Sequence, residues 1–152
     1  MTIIMRAALI LLASSAVGFP AAERTAAPRR AQTARRAVRQ LDSIQDFESA
    51  LESAGDDVMI VDYSTTTCGP CQLIAPKYEH MSTLYEDFHF YKVVGVVGDK
   101  SCEAWELFAH QGVELVPTFH FYKNGERQSE LSGSKLTSIE LIDAIEAIRW
   151  GD

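Results

Sequence analysis

Hydrophobic residues along this chain follow two patterns, helix-like spacings and short apolar runs, that take turns along the sequence. Together they predict nine elements of secondary structure. Ile44, Phe47, Leu51 and Ala54 recur at spacings of three and four, which places them on one face of a helix. The unbroken apolar run at 58–61 is instead typical of a strand buried on both faces. Strands are predicted at 38–41, 58–61, 88–97, 118–123 and 127–132, and helices at 44–54, at 70–85, after a cap at Ser101 and after Thr137.

Local signals mark where several of these elements begin or turn. Ser43 followed by Asp46, and Thr137 followed by Glu140, have the spacing of a capping box. Asn124-Gly125 is favoured in two-residue hairpin turns, so the last two strands are predicted to be antiparallel. The resulting order, β-α-β-α-β-α-β-β-α, needs helices on both faces of the sheet. The sequence therefore predicts an α/β fold with a central mixed five-stranded sheet flanked by four helices.

Charge is divided unevenly between the beginning of the chain and the rest. The 152 residues carry a formal net charge of −7. Residues 1–40 hold seven arginines and one acidic residue, whereas residues 41–152 hold seven basic and twenty acidic residues. A body this acidic repels phosphate backbones, which argues against nucleic-acid binding. With 47% apolar residues, the 152-residue chain can bury the core of one domain, and three cysteines are too few for a disulfide scaffold.

The first 36 residues have the composition of two targeting segments. Residues 1–18 contain an apolar run, Ala7 to Val17, that is too short to span a membrane and fits a secretory signal. Residues 19–36 are rich in alanine and arginine, as transit peptides are. Phe19 followed by a basic stretch resembles the two-part leaders of algal plastids. We therefore expect a plastid (chloroplast) location and a folded domain over residues 37–152; a secretory signal with a linker, a mitochondrial leader and a retained basic tail are the alternatives.

Two cysteines separated by two residues stand between the second strand and the second helix, in the motif Cys68-Gly69-Pro70-Cys71. A helix N-terminus concentrates positive potential, which favours a thiolate over a thiol. Pro70 fits the first helical turn, and Gly69 lets a partner's backbone approach closely. We expect Cys68, at the mouth of the helix, to be the exposed nucleophile. Cys71, one turn further in, is expected to be shielded and to resolve the mixed disulfide.

Two other uses of this cysteine pair have less support. A zinc site needs four ligands, and the sequence has neither a second cysteine pair nor closely spaced histidines. A purely structural disulfide across so short a loop would constrain little of the unfolded chain. The sequence therefore predicts a redox pair and no bound metal.

Six short motifs in a fixed order make residues 38–150 resemble the thioredoxin family. The most specific combination is the cysteine pair, with Asp62 six residues before it and Val116-Pro117 downstream. All six lie in the family's order and at nearly its spacing. The motifs are Val61-Asp62-Tyr63, Cys68-Gly69-Pro70-Cys71, Ala75-Pro76, Val116-Pro117-Thr118, Phe121-Tyr122-Lys123-Asn124-Gly125 and Leu131-Ser132-Gly133.

The resemblance implies the thioredoxin fold and gives roles to residues outside the cysteine pair. Asp62 is implied to accept the proton of Cys71 during resolution, and burial in an apolar strand raises the pKa of such a carboxyl. Pro117 is implied to follow a cis peptide bond beside the cysteines, so that Val116 pairs with an extended substrate segment. Gly133 is implied to belong to the same substrate-binding surface.

Several positions depart from the family's pattern or add to it. The family usually has tryptophan where Thr67 stands and another aromatic residue where Ser64 stands, so we expect a more polar rim and altered partner choice. Many members place a lysine near the aspartate. Only Lys92 could serve here, and without such a cation Asp62 should titrate still higher. Cys102, at the start of the third helix, is a candidate regulatory thiol, although simple packing is the more common role.

Together these features predict a dithiol–disulfide oxidoreductase that reduces disulfides of client proteins. Nothing in the sequence binds a nicotinamide or a flavin, so no cofactor is expected. Electrons must then come from a thioredoxin reductase, which would be ferredoxin-linked in a plastid and NADPH-linked elsewhere. We expect the mature protein to be a monomer without a membrane segment. The alternatives are an oxidant or isomerase of a secretory compartment and a non-catalytic subunit of a larger assembly.

Overall fold

The computed structural model describes residues 38–151, which form one five-stranded sheet with helices on both faces. The two predicted leader segments, 1–18 and 19–36, lie outside the described residues. The α/β class and the predicted order are confirmed. In chain order the elements are β1 (Arg39–Gln40), α1 (Ile44–Ala54), β2 (Met59–Thr65), α2 (Gly69–Leu84), β3 (His89–Gly95), α3 (Ala104–Gln111), β4 (Thr118–Lys123), β5 (Glu126–Ser132) and α4 (Ser138–Trp150).

The strand order across the sheet is β1-β3-β2-β4-β5, which puts β2 in the middle. β1 and β2 both pair with β3 in parallel, whereas β4 is antiparallel to β2 and β5 is antiparallel to β4. β2 runs past the predicted end at residue 61 to Thr65, because β3 continues to pair with it as far as Gly95. Asp62 therefore lies inside a central strand rather than at its end.

Two hydrophobic cores lie on the two faces of the sheet, since successive side chains of a strand point to opposite faces. On one face Met59, Val61 and Tyr63 pack with α1 and α3, in what we call the α1/α3 core. On the other face Ile60 packs with α2 and α4, in the α2/α4 core. Complete burial of a large apolar side chain stabilises a fold by about 1.5–3 kcal/mol, so the two cores together fix both layers of helices.

The helix starts agree with prediction in two cases and differ in a third. Both predicted capping boxes are present, at Ser43 before α1 and at Thr137 before α4. The predicted cap at Ser101 is wrong, because α3 begins only at Ala104. The Ser101 hydroxyl and backbone N–H instead both donate to the Asp99 carboxylate, at 2.6 and 2.9 Å. This local turn uses the side chain that would otherwise have capped the helix.

None of the helices within residues 38–151 combines the length and the apolar character that a membrane crossing requires.

Candidate active site

The cysteine pair sits where β2 gives way to α2, and its two sulfur atoms are joined in a disulfide bond. Cys68 occupies the N-cap position of α2, and the Cα atoms of Cys68 and Cys71 are 5.3 Å apart. The backbone N–H of Cys71 donates to the sulfur of Cys68 at 3.2 Å. A serine or aspartate oxygen usually takes this place at a helix start. The N-terminal end of a helix stabilises negative charge, so the Cys68 sulfur is the one favoured as a thiolate after reduction.

The two sulfur-bearing residues differ in their accessibility. Cys68 is half-buried, whereas Cys71 is only 2% exposed. Thr67, Gly69 and Pro70 around them are exposed. Around the position that a Cβ atom would occupy on Gly69 there is open space, so another backbone can approach the pair from this side. A disulfide arriving from solvent therefore reaches the sulfur of Cys68 before that of Cys71.

Asp62 and Cys71 open onto the same small cavity. Asp62 is 4% exposed, and within the described residues its Oδ1 atom has no hydrogen-bond partner. The cavity has a volume of about 150 Å³ and is lined by Asp62, Ser64, Cys71, Glu79 and Lys92, among others. It is large enough for several water molecules and has the polar partners that such waters need. The inner cysteine and the buried carboxyl therefore border one small polar cavity.

The surroundings of Asp62 keep its carboxyl protonated up to neutral pH. Burial raises the pKa of Asp62 to about 7, and the Lys92 ammonium lowers it only in part. Lys92, the one lysine that the sequence offered for this place, does lie beside Asp62, because the parallel register of β2 and β3 places the two residues directly opposite each other. The effect of burial is the larger of the two, so the pKa is raised even with this lysine present. A carboxyl that titrates near 7 can both accept and release a proton under physiological conditions.

Two further segments reach the same end of the sheet as the cysteine pair. Because β4 is antiparallel to β2, the start of β4 lies beside the end of β2, with Thr118 opposite Tyr63. The peptide bond between Val116 and Pro117, just before β4, is cis. The carbonyl of Pro117 accepts a hydrogen bond of 3.1 Å from the backbone N–H of Gly133, just after β5. The sequence therefore folds the three predicted parts of the site to one end of the sheet.

The loop between β2 and the cysteines carries a polar rim. Thr67 is exposed, in the place where the family usually has a tryptophan. The backbone N–H of Thr66 donates to the carbonyl of Gly95 at 3.1 Å, and the Gln72 side chain donates to the carbonyl of Thr66 at 3.3 Å. Ser64 is 9% exposed and lines the cavity, where a larger aromatic residue would take up space. These hydrogen bonds fix the loop, so its shape does not depend on an indole ring.

Cys102 lies apart from the redox pair in its packing. It is half-buried and packs against the α1/α3 core, and its sulfur lies 3.9 Å from the carbonyl of Val94. The expectation that it begins the third helix is wrong, because α3 starts two residues later at Ala104. The geometry thus agrees with a packed cysteine.

One buried polar cluster escaped the sequence reasoning. His120 on β4 is fully buried, with Nδ1 3.2 Å from the Tyr122 hydroxyl and Nε2 3.2 Å from the Glu130 carboxylate. Arg127 lies 3.4 Å from the same Nε2 atom. The Asn124-Gly125 turn pairs β4 with β5, but an irregularity between residues 121 and 122 shifts the register so that His120 faces Glu130. The turn dipeptide was the available signal, yet it does not reveal this shift.

Comparisons with known proteins agree with this geometry. The thioredoxin family model matches residues 38–147. The thioredoxin of Geodia cydonium is 41% identical over 85 residues, which are 56% of this chain and 74% of that protein.

Two solved structures that contain thioredoxins align with the fold. Thioredoxin f from spinach chloroplast, in its long form, has a TM-score of 0.67 and 30% identity, with 80% of this chain and 94% of that chain covered. A chain of the complex between ferredoxin:thioredoxin reductase and thioredoxin f2 has a TM-score of 0.66 and 31% identity, with 76% and 98% covered. The family match runs from the first strand into the last helix and includes the bonded cysteine pair, so this chain belongs to the thioredoxin family and is a protein dithiol–disulfide oxidoreductase.

Proposed function

We propose that this protein reduces disulfide bonds of client proteins through two successive thiol–disulfide exchanges at Cys68 and Cys71. The observation that carries the proposal is the position of the two sulfurs. One is at the N-cap of α2, and the other lies one turn further in, against the cavity that Asp62 lines. The disulfide between them is the product of the full reaction.

In the first exchange, the Cys68 thiolate attacks one sulfur of the client disulfide. A bond forms between the Cys68 sulfur and that client sulfur, the client S–S bond breaks, and the other client sulfur leaves as a thiolate. The positive end of α2 and the N–H of Cys71 stabilise the attacking thiolate before the bond forms. The leaving client sulfur is reduced in this step and the Cys68 sulfur is oxidised to the disulfide level, so half of the two-electron transfer is complete in the mixed disulfide.

In the second exchange, Cys71 releases the client. Its thiol loses a proton to Asp62, directly or through water in the shared cavity, and the resulting thiolate attacks the sulfur of Cys68. The mixed disulfide breaks and the second client sulfur leaves as a thiolate. The client has then gained two electrons, and the protein has lost two in forming its own disulfide.

The client segment is held at the end of the sheet while this happens. Val116, Pro117 and Gly133 lie at the same end as the cysteines and form the surface against which an extended client segment is placed. Gly69 adds open space on the other side of the sulfur. Backbone pairing with Val116 would hold the client without selecting its side chains, which suits an enzyme with many clients.

A reductase must return two electrons and two protons to the disulfide after each cycle. We propose a ferredoxin-linked thioredoxin reductase in a plastid, since chains similar to this one include a thioredoxin f from chloroplast and a partner in a complex with that type of reductase. On this proposal, segments 1–18 and 19–36 direct the chain to the plastid and are removed, and residues 37–152 act as a monomeric domain without a membrane segment or a bound cofactor.

Trapping of the mixed disulfide tests the roles of the two cysteines. With a disulfide-bonded client protein, Cys71→Ser should accumulate a client adduct through Cys68 that a reductant releases, whereas Cys68→Ser should form none. An adduct in the Cys68 variant but not in the Cys71 variant would exchange the two roles. A fluorescent fusion of residues 1–40 tests the location, and regeneration by purified ferredoxin-linked and NADPH-linked reductases tests the donor.

A further inference from the structure

A groove of about 430 Å³ begins beside the cysteine pair, on the side of the molecule where α2 and α4 meet. One wall is the first two turns of α2 from Pro70 to Lys77, and the other is formed by residues 134–139 before and at the start of α4. Each wall contributes a large exposed apolar side chain, Leu73 at 80% and Ile139 at 68% exposure. Single exposed apolar residues are ordinary, whereas these two line one groove, where a bound segment could cover both.

The charge of this groove is opposite to that of the body around it. Lys77 and Lys135 line it, and none of its lining residues is acidic. Residues 41–152 as a whole carry twenty acidic and seven basic residues, so two lysines without a lining carboxylate are a local reversal. The Lys77 ammonium donates to the hydroxyl of Ser138 at 3.2 Å, which holds the charge where the two walls meet. An acidic segment is the complementary occupant.

The groove begins next to the redox pair at Pro70. Its length sets how many client residues lie between the attacked cysteine and the two lysines. Pro70, Leu73 and Lys77 lie along one side of α2, and at 1.5 Å per residue the first and last are about 10 Å apart. An extended chain advances about 3.3 Å per residue, so roughly three client residues cover this length. A client segment bound at Cys68 and running past Pro70 therefore contacts the apolar part of the groove first. It meets the lysines roughly three to five residues from its attacked cysteine.

We propose that this groove is a client-docking surface that selects disulfides flanked by an apolar residue and then by acidic residues. The inference rests on the proposed function, because it takes Cys68 as the atom that attacks the client. It adds a preference that the cysteine pair alone does not supply. Apolar contact with Leu73 and Ile139 gives affinity, and the two lysines steer the acidic flank into place.

Two synthetic peptides test this preference with the full-length protein. Both carry the same disulfide and a leucine two residues from it, followed by Asp-Glu in one peptide and by Lys-Lys in the other. Each rate is divided by the rate with 2-hydroxyethyl disulfide, a neutral compound too small to fill the groove. At low ionic strength the acidic peptide should be reduced about five to ten times faster than the basic one, as expected for two exposed charge pairs. The ratio should fall at high salt.

Matched variants separate the effect of the groove lysines on the rate ratio from the effect of the protein's overall charge. Combining Lys77→Gln with Lys135→Gln should bring the ratio below about two, whereas Lys100→Gln, which removes an exposed charge outside the groove, should leave it unchanged. Leu73→Ala with Ile139→Ala should slow both peptides several-fold. Equal rates for the two peptides, or an unchanged ratio in the double lysine variant, would overturn the docking proposal while leaving the proposed function intact.

Two further outcomes would also overturn the docking proposal. If sedimentation shows a dimer that the Leu73 and Ile139 substitutions dissociate, the occupant is a second copy of this chain. If neither peptide nor the small disulfide is reduced, the proposed function itself fails, and the docking proposal fails with it.

Discussion

Asp62 and His120 are both buried in the central strands of the sheet, but they face opposite sides and have very different surroundings. His120 faces the α1/α3 core, where its ring lies 4.8 Å from that of Tyr63 and both of its nitrogens have polar neighbours. Asp62 faces α2, and within residues 38–151 its Oδ1 atom has no hydrogen-bond partner. His120 therefore has polar partners at both ring nitrogens, whereas Asp62 has one oxygen without a hydrogen bond and lies beside a cavity and a lysine.

On the proposed mechanism, this difference separates a structural polar group, His120, from a functional one, Asp62. Burial of a polar group without its hydrogen bonds lowers stability, so such groups are rare in folded proteins. A carboxyl kept in that condition next to a reactive cysteine matches the pattern of acid–base residues with shifted pKa values. On the proposed mechanism, the α2 face of the sheet carries the acid–base group, whereas the buried polar cluster of the α1/α3 face only supports the fold.

The largest expected effect is on the rate of client reduction, and it distinguishes Cys68 in the site from Cys102 against the α1/α3 core. Cys68→Ser removes the attacking thiolate and should lower the rate of client reduction by more than about 10⁴-fold. Cys102→Ser, a matched substitution against the α1/α3 core, should leave that rate within about twofold, since surface or half-buried changes away from the site have small effects. An insulin reduction assay measures both. Equal losses in the two variants would remove the distinction between the faces.

Asp62→Asn should stabilise the oxidised protein at alkaline pH. The native carboxyl has a pKa of about 7, against about 3.9 when unfolded, so the native state binds more protons between these values and loses stability as pH rises from about 4 to 7. About three pH units at 1.36 kcal/mol each amount to on the order of 4 kcal/mol. Denaturant unfolding at pH 8 should show a gain of that order in the variant. A loss of stability there would contradict the raised pKa.

The same substitution should slow the second exchange. Without a proton acceptor in the cavity, release of client from the Cys68 mixed disulfide should be about 10²-fold slower at pH 7. The first exchange should change far less, since Asp62 shares its cavity with Cys71 and not with Cys68. Stopped-flow kinetics of a preformed mixed disulfide separates the two steps. If the attack by Cys68 slows as much as the release, Asp62 does not act through Cys71.

His120→Ala should have the smallest effect, and on stability alone. Loss of its contacts should destabilise the fold by about 1–3 kcal/mol, with client reduction unchanged. Burial, reinforced by Arg127 and opposed by Glu130, lowers the pKa of His120, so the wild-type protein loses stability as pH falls below 6.5. This increase of stability with rising pH is opposite to the decrease that Asp62 causes. Unfolding measured across pH 4–7 should show a steeper fall with rising pH in the His120 variant, and a change in its reduction rate would contradict a purely structural role.

The sequence predicted much of the fold because its strongest signals are local. The capping boxes at Ser43 and Thr137 and the apolar run in β2 lie within a few residues of the features they specify. The start of α3 was missed because two short-range bonds competed for Ser101, and the one to Asp99 prevailed. Propensity alone does not rank such alternatives.

The site was predictable in its residues and less so in its electrostatics. The cysteine motif could be identified from its place between a buried strand and a helix, and Asp62 and Val116-Pro117 from their resemblance to the motifs of the thioredoxin family. The proximity of Lys92 to Asp62 depends on the register of two parallel strands, which no short motif encodes. Both the unpartnered Oδ1 atom of Asp62 and the His120–Glu130 contact likewise arise from tertiary packing.

The most direct test of the account is the rate at which the reduced protein is alkylated at Cys68. The reduced protein is exposed briefly to iodoacetamide at neutral pH, and mass spectrometry compares its labelling with that of free cysteine. The labelling rate reports the thiolate that, on this account, the N-terminus of α2 stabilises. The account predicts that Cys68 reacts several times faster than free cysteine and that Cys71 remains largely unmodified. A rate at Cys68 equal to or below that of free cysteine, or faster labelling of Cys71, would contradict it.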